Sequence, residues 1–225
     1  IEKACFWKQG DNGFVICEMC EHKCKIACSN FGRCGVRQNL DGELFTYAYG
    51  EVIAENIDPI EKKPLYHFLP GTLTYSIATI GCNFKCKFCQ NWSISQVSYE
   101  DNKGYYKKIT PEDAVRNAIS KDCKSISYTY TEPTIFFEYA FDIATIAKAE
   151  GLKNIFVTNG YMAPSVIEKM GEVIDAVNVD LKFFNDDSYK DICGGKLEPV
   201  KRNIKLLKEK NIWVEVTTLL IPGKN

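Results

Sequence analysis

Cys82, Cys86 and Cys89 place three thiols on one short loop, Gly81-Cys-Asn-Phe-Lys-Cys-Lys-Phe-Cys-Gln90, and neither a histidine nor a fourth cysteine lies close enough in sequence to complete a tetrahedral site. A structural zinc site closes on four protein ligands, and the usual iron–sulfur clusters take four cysteines. Three well-spaced thiolates therefore point to a cubane cluster with one iron left open to a substrate or cofactor. The competing reading is a zinc loop that recruits Cys123 from a distance.

A second group lies nearer the amino terminus, where Cys17, Cys20, Cys24, Cys28 and Cys34 enclose His22. Four thiolates at such spacings hold zinc and supply the folding energy that a small β-rich module lacks. Cys17, Cys20, Cys24 and Cys34 are the expected ligands, with Cys28 spare. A second iron–sulfur cluster is the alternative, although the spacing differs from the ferredoxin run. Cys5, Cys123 and Cys193 read as small buried hydrophobes, with a hydrogen-donor role at the site as a second reading for Cys193. With His22 and His67 the only histidines and no glycine-rich phosphate loop, triad and P-loop chemistry have little material.

Composition bounds the setting. The 225 residues are 45% hydrophobic and carry 28 Lys and Arg against 29 Asp and Glu, a net charge of -1. That balance lacks the basic footprint of a nucleic-acid binder. No stretch approaches the roughly 18 apolar residues of a membrane span, and no apolar signal-peptide core opens the chain. Clustered cysteines then read as metal ligands in a reducing, cytoplasmic setting rather than as a disulfide framework.

From Thr72 onward, short β-rich runs alternate with amphipathic stretches, the pattern of βα units around a parallel sheet. Five strands are expected, at 73–80, 125–130, 154–158, 176–182 and 213–221. Thr110-Pro-Glu-Asp113 gives a helix an N-cap, a first-turn proline and acids, and Pro164 and Pro199 open two more. Ile135, Tyr139, Ile143 and Ile146 recur at helical spacing between Pro133 and Gly151. Residues before Pro70-Gly71 differ, with the cysteine loop and an expected hairpin at 44–53, so a boundary separates a module over 1–70 from a barrel over 71–225. Barrels of βα units carry their active sites at the carboxyl ends of the strands, where this chain sets the cysteine loop, Thr131-Glu132, Thr158-Asn159, Asp180 and Lys182.

The C-x3-C-x2-C spacing, with Phe88 before the last cysteine, resembles the cluster signature of the radical S-adenosylmethionine (SAM) superfamily. That resemblance implies a 4Fe-4S cluster on Cys82, Cys86 and Cys89, SAM chelating its open iron, and Phe88 near the adenine. Tyr130-Thr-Glu-Pro133 matches the end of the family's Gly-Gly-Glu-Pro segment without the glycines, which implies that Glu132 binds the SAM ammonium through a charge-assisted hydrogen bond. The structural alternative is a Glu that caps the helix after Pro133.

Val157-Thr-Asn-Gly160 is similar to the ribose-binding segment of glycyl-radical-enzyme activases and implies Thr158 and Asn159 at the sugar, although Asn-Gly is also a turn signal. Val179-Asp-Leu-Lys182 resembles the strand-four motif of the same enzymes, with Asp180 and Lys182 on one side of the strand or simply paired as ions. Ile221-Pro-Gly223 resembles the turn that meets adenine, which implies a contact from Ile221.

Across Cys17 to Arg37, Asp58 to Phe68, Gly81 to Asn91, Tyr128 to Tyr139 and the later motifs, the chain resembles the AmmeMemoRadiSam-system radical SAM enzymes, relatives of the pyruvate formate-lyase activating enzyme. The resemblance implies an α/β fold, a partial TIM-type (β/α)6 barrel whose last βα unit would follow Asn225, with a small amino-terminal cysteine-rich β module. It also implies reductive cleavage of SAM to a 5′-deoxyadenosyl radical that abstracts hydrogen, with flavodoxin or ferredoxin as electron donor. An activase acting on a partner protein's glycine heads the alternatives. Modification of another peptide, protein or small molecule comes second, and a non-catalytic metal-binding interaction module third.

Overall fold

The computed structural model describes residues 1–102 and 106–225. Its main sheet has six strands, β1 (Ala54–Pro59), β2 (Leu73–Ala78), β3 (Ser125–Tyr128), β4 (Lys153–Thr158), β5 (Ala176–Asp180) and β6 (Trp213–Thr217). They lie side by side in chain order. Strands β2 to β6 are mutually parallel, and β1 runs antiparallel to β2 at the edge. Helices α1 (Pro111–Ser120), α2 (Phe137–Ala149), α3 (Pro164–Met170) and α4 (Leu197–Glu209) connect successive parallel strands. This sequential winding is the α/β partial barrel expected from the alternating pattern.

Local signals explain the elements. Thr110 caps α1, its hydroxyl accepting from the Asp113 N–H at 3.1 Å behind Pro111. Strands β3, β4 and β5 bury Ile126, Tyr128, Phe156, Val177 and Val179, while α2 contributes Tyr139, Ala140, Ile143 and Ala144 to the same core. Four of the five expected strands end two to four residues early. The leftover residues form the loops over the cavity, and Tyr130, at φ 63, cannot continue a strand.

The region before Pro70 departs from expectation. The hairpin joins Arg37–Leu40 to Glu43–Thr46, turning at Asp41 (φ 52) and Gly42 (φ 88), the Asp-Gly pair that a type I′ turn favours. Glu51–Val52 instead pairs with Lys107–Lys108, because Gly50 (φ 71) breaks the run between them. Strand β1 crosses the expected boundary and joins the main sheet. Arg37, fully buried, pairs with Glu138 at the start of α2 and donates to the Ile135 and Cys5 carbonyls, so the cysteine-rich segment and the sheet share one core.

Candidate active site

A cavity of about 560 Å³ opens at the carboxyl ends of the parallel strands, within the range of small-molecule sites. The residues of β2 run through Thr79 and Ile80 to Gly81, whose φ is 88. A Cβ at Gly81 would lie 2.5 Å from the Cys34 carbonyl oxygen, so only glycine lets the chain turn here. Beyond that turn, Cys82, Cys86 and Cys89 all line the cavity. Phe88 lines it too, packed edge-on against Phe183 at 6.0 Å.

The thiols sit in different fields. Burial raises Cys82, although its sulfur accepts the Phe84 N–H at 3.4 Å. Cys86 is held below the ordinary thiol value, first by the neighbouring Cys193 thiol and then by the nearby Lys182 ammonium. Cys89 lies 3.1 Å from the Ser95 hydroxyl. Cys193 is buried as expected and is not among the residues lining the cavity; the Lys85 N–H donates to its carbonyl at 2.9 Å, which places it beside the loop. Cys123 follows the opposite course. It precedes β3, whose amino end lies at the far end of the sheet from the loop after β2, and it packs there in the core. The zinc loop completed by Cys123 is thereby overturned.

Across the cavity, Glu132 is 1% exposed. Its Oε1 accepts from the Thr134 N–H (3.1 Å), the Thr134 hydroxyl (2.6 Å) and the Thr158 hydroxyl (2.6 Å). Its Oε2 accepts from the Asn159 N–H at 2.8 Å. Burial raises its pKa, and the four hydrogen bonds oppose that rise. The cap reading is therefore realised, since Glu132 closes the short turn Pro133–Phe136, yet the same carboxylate lines the cavity. These donors occupy the roughly four acceptor sites of a carboxylate. A cation reaching it needs one hydroxyl to rotate away, as threonine hydroxyls can.

Thr158 and Asn159 reach the cavity beside Glu132. The Asn159 amide is itself engaged, donating to Asn83 Oδ1 at 2.7 Å and accepting from the Tyr161 N–H at 3.0 Å. Asp180 and Lys182 line the cavity as an ion pair at 3.0 Å, so this structural reading of the two also holds. Burial works against the Lys182 charge, but Asp180 and the Cys86 sulfur outweigh it and hold the ammonium above the ordinary lysine range. Its Nζ stands 5.7 Å from the Phe88 ring centre. Ile221 is not among the lining residues; Thr217 and Leu219 supply the wall after β6.

One wall has no counterpart in the expected site. Lys62, Lys63 and Pro64 follow β1 and close the cavity opposite the later strands. Lys63 is 1% exposed, bonds Asp58 Oδ2 at 2.8 Å and lies 4.5 Å from the Tyr130 ring centre. The Tyr130 hydroxyl donates to the same Asp58 oxygen. The signal was an Asp followed at five residues by a Lys between β-rich runs, which only the placement of β1 in the sheet turns into a buried pair.

Three thiols on one loop and a buried carboxylate lining the same cavity suit a thiolate-held iron cluster with an open side. Among known proteins, the sequence profile of the Radical SAM superfamily matches residues 76–225. An uncharacterised protein of Methanocaldococcus jannaschii is 43% identical over 225 residues, covering 100% of this chain and 66% of that protein. Pyruvate formate-lyase 1-activating enzyme of Escherichia coli is 25% identical over 151 residues, covering 64% of this chain and 59% of that enzyme. A solved radical SAM methyltransferase from Sphaerobacter thermophilus has the same fold, with a TM-score of 0.52 at 17% identity over 70% of this chain and 50% of that one. The chain thus spans 66% and 59% of the two curated relatives' lengths.

Proposed function

The chain belongs to the radical SAM superfamily and is a radical SAM enzyme, and from that premise we propose that Cys82, Cys86 and Cys89 hold the family's 4Fe-4S cluster while Glu132 receives the ammonium of SAM. When bound, cluster and SAM supply one-electron cleavage of SAM to methionine and a 5′-deoxyadenosyl radical, which takes a hydrogen atom from the substrate. The observation that carries the reading is that the three thiols and the buried Glu132 carboxylate share one cavity at the strand ends.

The chain's own residues bind and orient. Glu132, fixed by four hydrogen bonds, offers a negative charge where water is largely excluded, which strengthens its attraction for an ammonium. Thr158 and the backbone around Asn159 serve the ribose, Phe88 offers an apolar face to the adenine, and the Asp180–Lys182 pair forms the polar floor beside Cys86. Lys63 and Tyr130, locked through Asp58, close the remaining side and limit quenching of the radical.

The substrate reading is activation of a partner protein by hydrogen abstraction from a glycine, supported by likeness to pyruvate formate-lyase 1-activating enzyme, with flavodoxin or ferredoxin as donor. The second reading is modification of another peptide, protein or small molecule, favoured by the amino-terminal cysteine module and by the resemblance of its motifs to AmmeMemoRadiSam enzymes. Anaerobic reconstitution with iron and sulfide, then dithionite and SAM, is expected to yield 5′-deoxyadenosine. An intact cluster that releases none refutes the proposal. A glycyl-radical spin signal in a candidate partner distinguishes the first substrate reading from the second.

A further inference from the structure

Cys17, Cys20, Cys24 and Cys34 line a separate void of about 20 Å³, room for roughly one water-sized group. The main cavity instead holds charge that its own residues leave unanswered. On the reading above, SAM takes the side of Glu132, Thr158 and the loop thiols, and the wall left for the substrate is Lys62, Lys63 and Pro64. We propose that Lys62 and Lys63 receive a carboxylate of the substrate, an inference that rests on the radical SAM reading for which wall SAM leaves free.

The wall is built around one carboxylate and two ammoniums. Asp58, near the end of β1, accepts from Lys62 at 3.0 Å through Oδ1 and from Lys63 at 2.8 Å through Oδ2, and the Tyr130 hydroxyl shares the second oxygen. Neighbouring acids are engaged elsewhere, Glu55 with Lys107, Glu61 with the Gly71 N–H, and Glu215 with the Tyr66 and His67 N–H groups. A positive charge therefore stands unneutralised, and Lys63 is where it costs most. An ammonium has three donors. Asp58 takes one, the Tyr130 ring face at 4.5 Å takes another, and the third has no acceptor among the described residues although the side chain is 1% exposed. A buried charge needs its hydrogen bonds filled, and because Lys63 lines the cavity an acceptor can reach it from there. Lys62, with its side chain 69% exposed, keeps two donors beside it.

The segment that carries the two lysines is fixed along its length. Ile60 and Leu65 pack with Ile155 of β4 and Ala176 of β5, Asn178 donates to the Pro64 carbonyl at 3.0 Å, and Glu215 on β6 holds the Tyr66 and His67 N–H groups at 2.9 and 3.0 Å. A wall anchored in this way binds without first being ordered. Its charge then selects the group. A single surplus positive charge matches a carboxylate, whereas a phosphate monoester brings about −1.5 to −2 near neutral pH, and no arginine is among the described lining residues to grip it bidentately.

The test titrates the reconstituted protein by calorimetry, with SAM present and no reductant, using succinate, acetyl-Gly-Asp-Gly amide and their neutral counterparts succinamide and acetyl-Gly-Asn-Gly amide. At least one acid should bind about tenfold or more tightly than its amide, as a hydrogen bond to a charged partner gives. Preference for succinate alone identifies a small acid as the source, and preference for the peptide alone an acidic protein segment. Lys62→Met, at an exposed position, should reduce the preference about two- to fivefold. Lys62→Glu should abolish it, and Lys205→Met, outside the cavity lining, should leave it unchanged. Equal binding of acids and amides, a preference that survives Lys62→Glu, or inorganic phosphate bound more tightly than either acid overturns the proposal. Formation of 5′-deoxyadenosine is read separately. Protein that cleaves SAM but binds no acid refutes this inference alone, and protein that binds the acid but releases no 5′-deoxyadenosine refutes the radical reading alone.

Discussion

Glu132→Gln keeps the shape of a buried side chain and removes its charge, which separates its two roles. As a cap, the side chain accepts from Thr134, Thr158 and Asn159. Gln keeps one carbonyl oxygen for the three Thr donors and turns an amide toward the Asn159 N–H, leaving that donor unpaired at a cost of about 1–3 kcal/mol. Against this, the variant no longer buries a charge. The carboxyl is raised on folding, so the folded chain binds its proton more tightly than the unfolded chain does. Its contribution to stability therefore declines as pH rises through the ordinary carboxylate range to the folded value, and Gln removes that decline. The two effects oppose, and the Tm should move little at neutral pH.

SAM binding should respond differently. A hydrogen bond to a charged partner contributes about 1.5–3 kcal/mol, and each 1.4 kcal/mol is tenfold in Kd, so affinity should weaken roughly ten- to a hundredfold. In the wild type the same affinity should fall on acidification, beginning at a pH above the ordinary carboxylate range, and the Glu132→Gln variant should lack that step. Calorimetric titration of the reconstituted protein measures the affinity, and iron content controls for the cluster. Unchanged SAM affinity with a lowered Tm would mean that Glu132 only caps the turn after Pro133, and the reasoning would be refuted.

Three further outcomes follow from the packing. Gly81→Ala forces a Cβ to 2.5 Å from the Cys34 carbonyl at a φ of 88; strain of about 1–3 kcal/mol should lower the Tm, and the loop should retain less iron. Cys193→Ala removes the thiol that holds Cys86 low, so in metal-free protein the alkylation of Cys86 should need a higher pH; an unmoved profile excludes the contact. Arg37→Met leaves Glu138 as an uncompensated charge in a mostly buried site, where loss of one partner costs about 3–5 kcal/mol, and denaturant unfolding should show that loss.

Much of this was legible where chemistry or backbone sterics act locally. The loop thiols, the Thr110 cap and the βα alternation depend on neighbouring residues, and each appears at its expected position. The missed features depend on pairings across the chain. Strand β1 reads as part of the cysteine-rich segment because its sequence is polar at an exposed edge, and only its ladder with β2 makes it part of the barrel. Lys63 looks like a surface charge until that ladder brings Asp58 and Tyr130 together around it. Cys193 is one small residue, and the backbone bonds from Lys85 and Lys87 to Cys193 and Ile192 are what bring it to the loop thiols.

Those bonds also bear on how a loop of eight residues keeps three thiols in register. Gly81 is wedged against Cys34 on one side, and the Asn83 carbonyl is held by the Arg33 guanidinium at 3.3 Å and contacts His22 at 2.8 Å. Lys85 and Lys87 donate to the Cys193 and Ile192 carbonyls at 2.9 and 3.0 Å, and Asn91 closes the end by donating to the Tyr130 carbonyl at 2.7 Å. Little of this support comes from the loop's own residues. On the proposed reading the loop keeps an open iron and takes no fourth protein ligand, so the rigidity a fourth ligand would give has to come from the backbone, and the amino-terminal cysteine segment and the loop around Cys193 supply it from opposite sides.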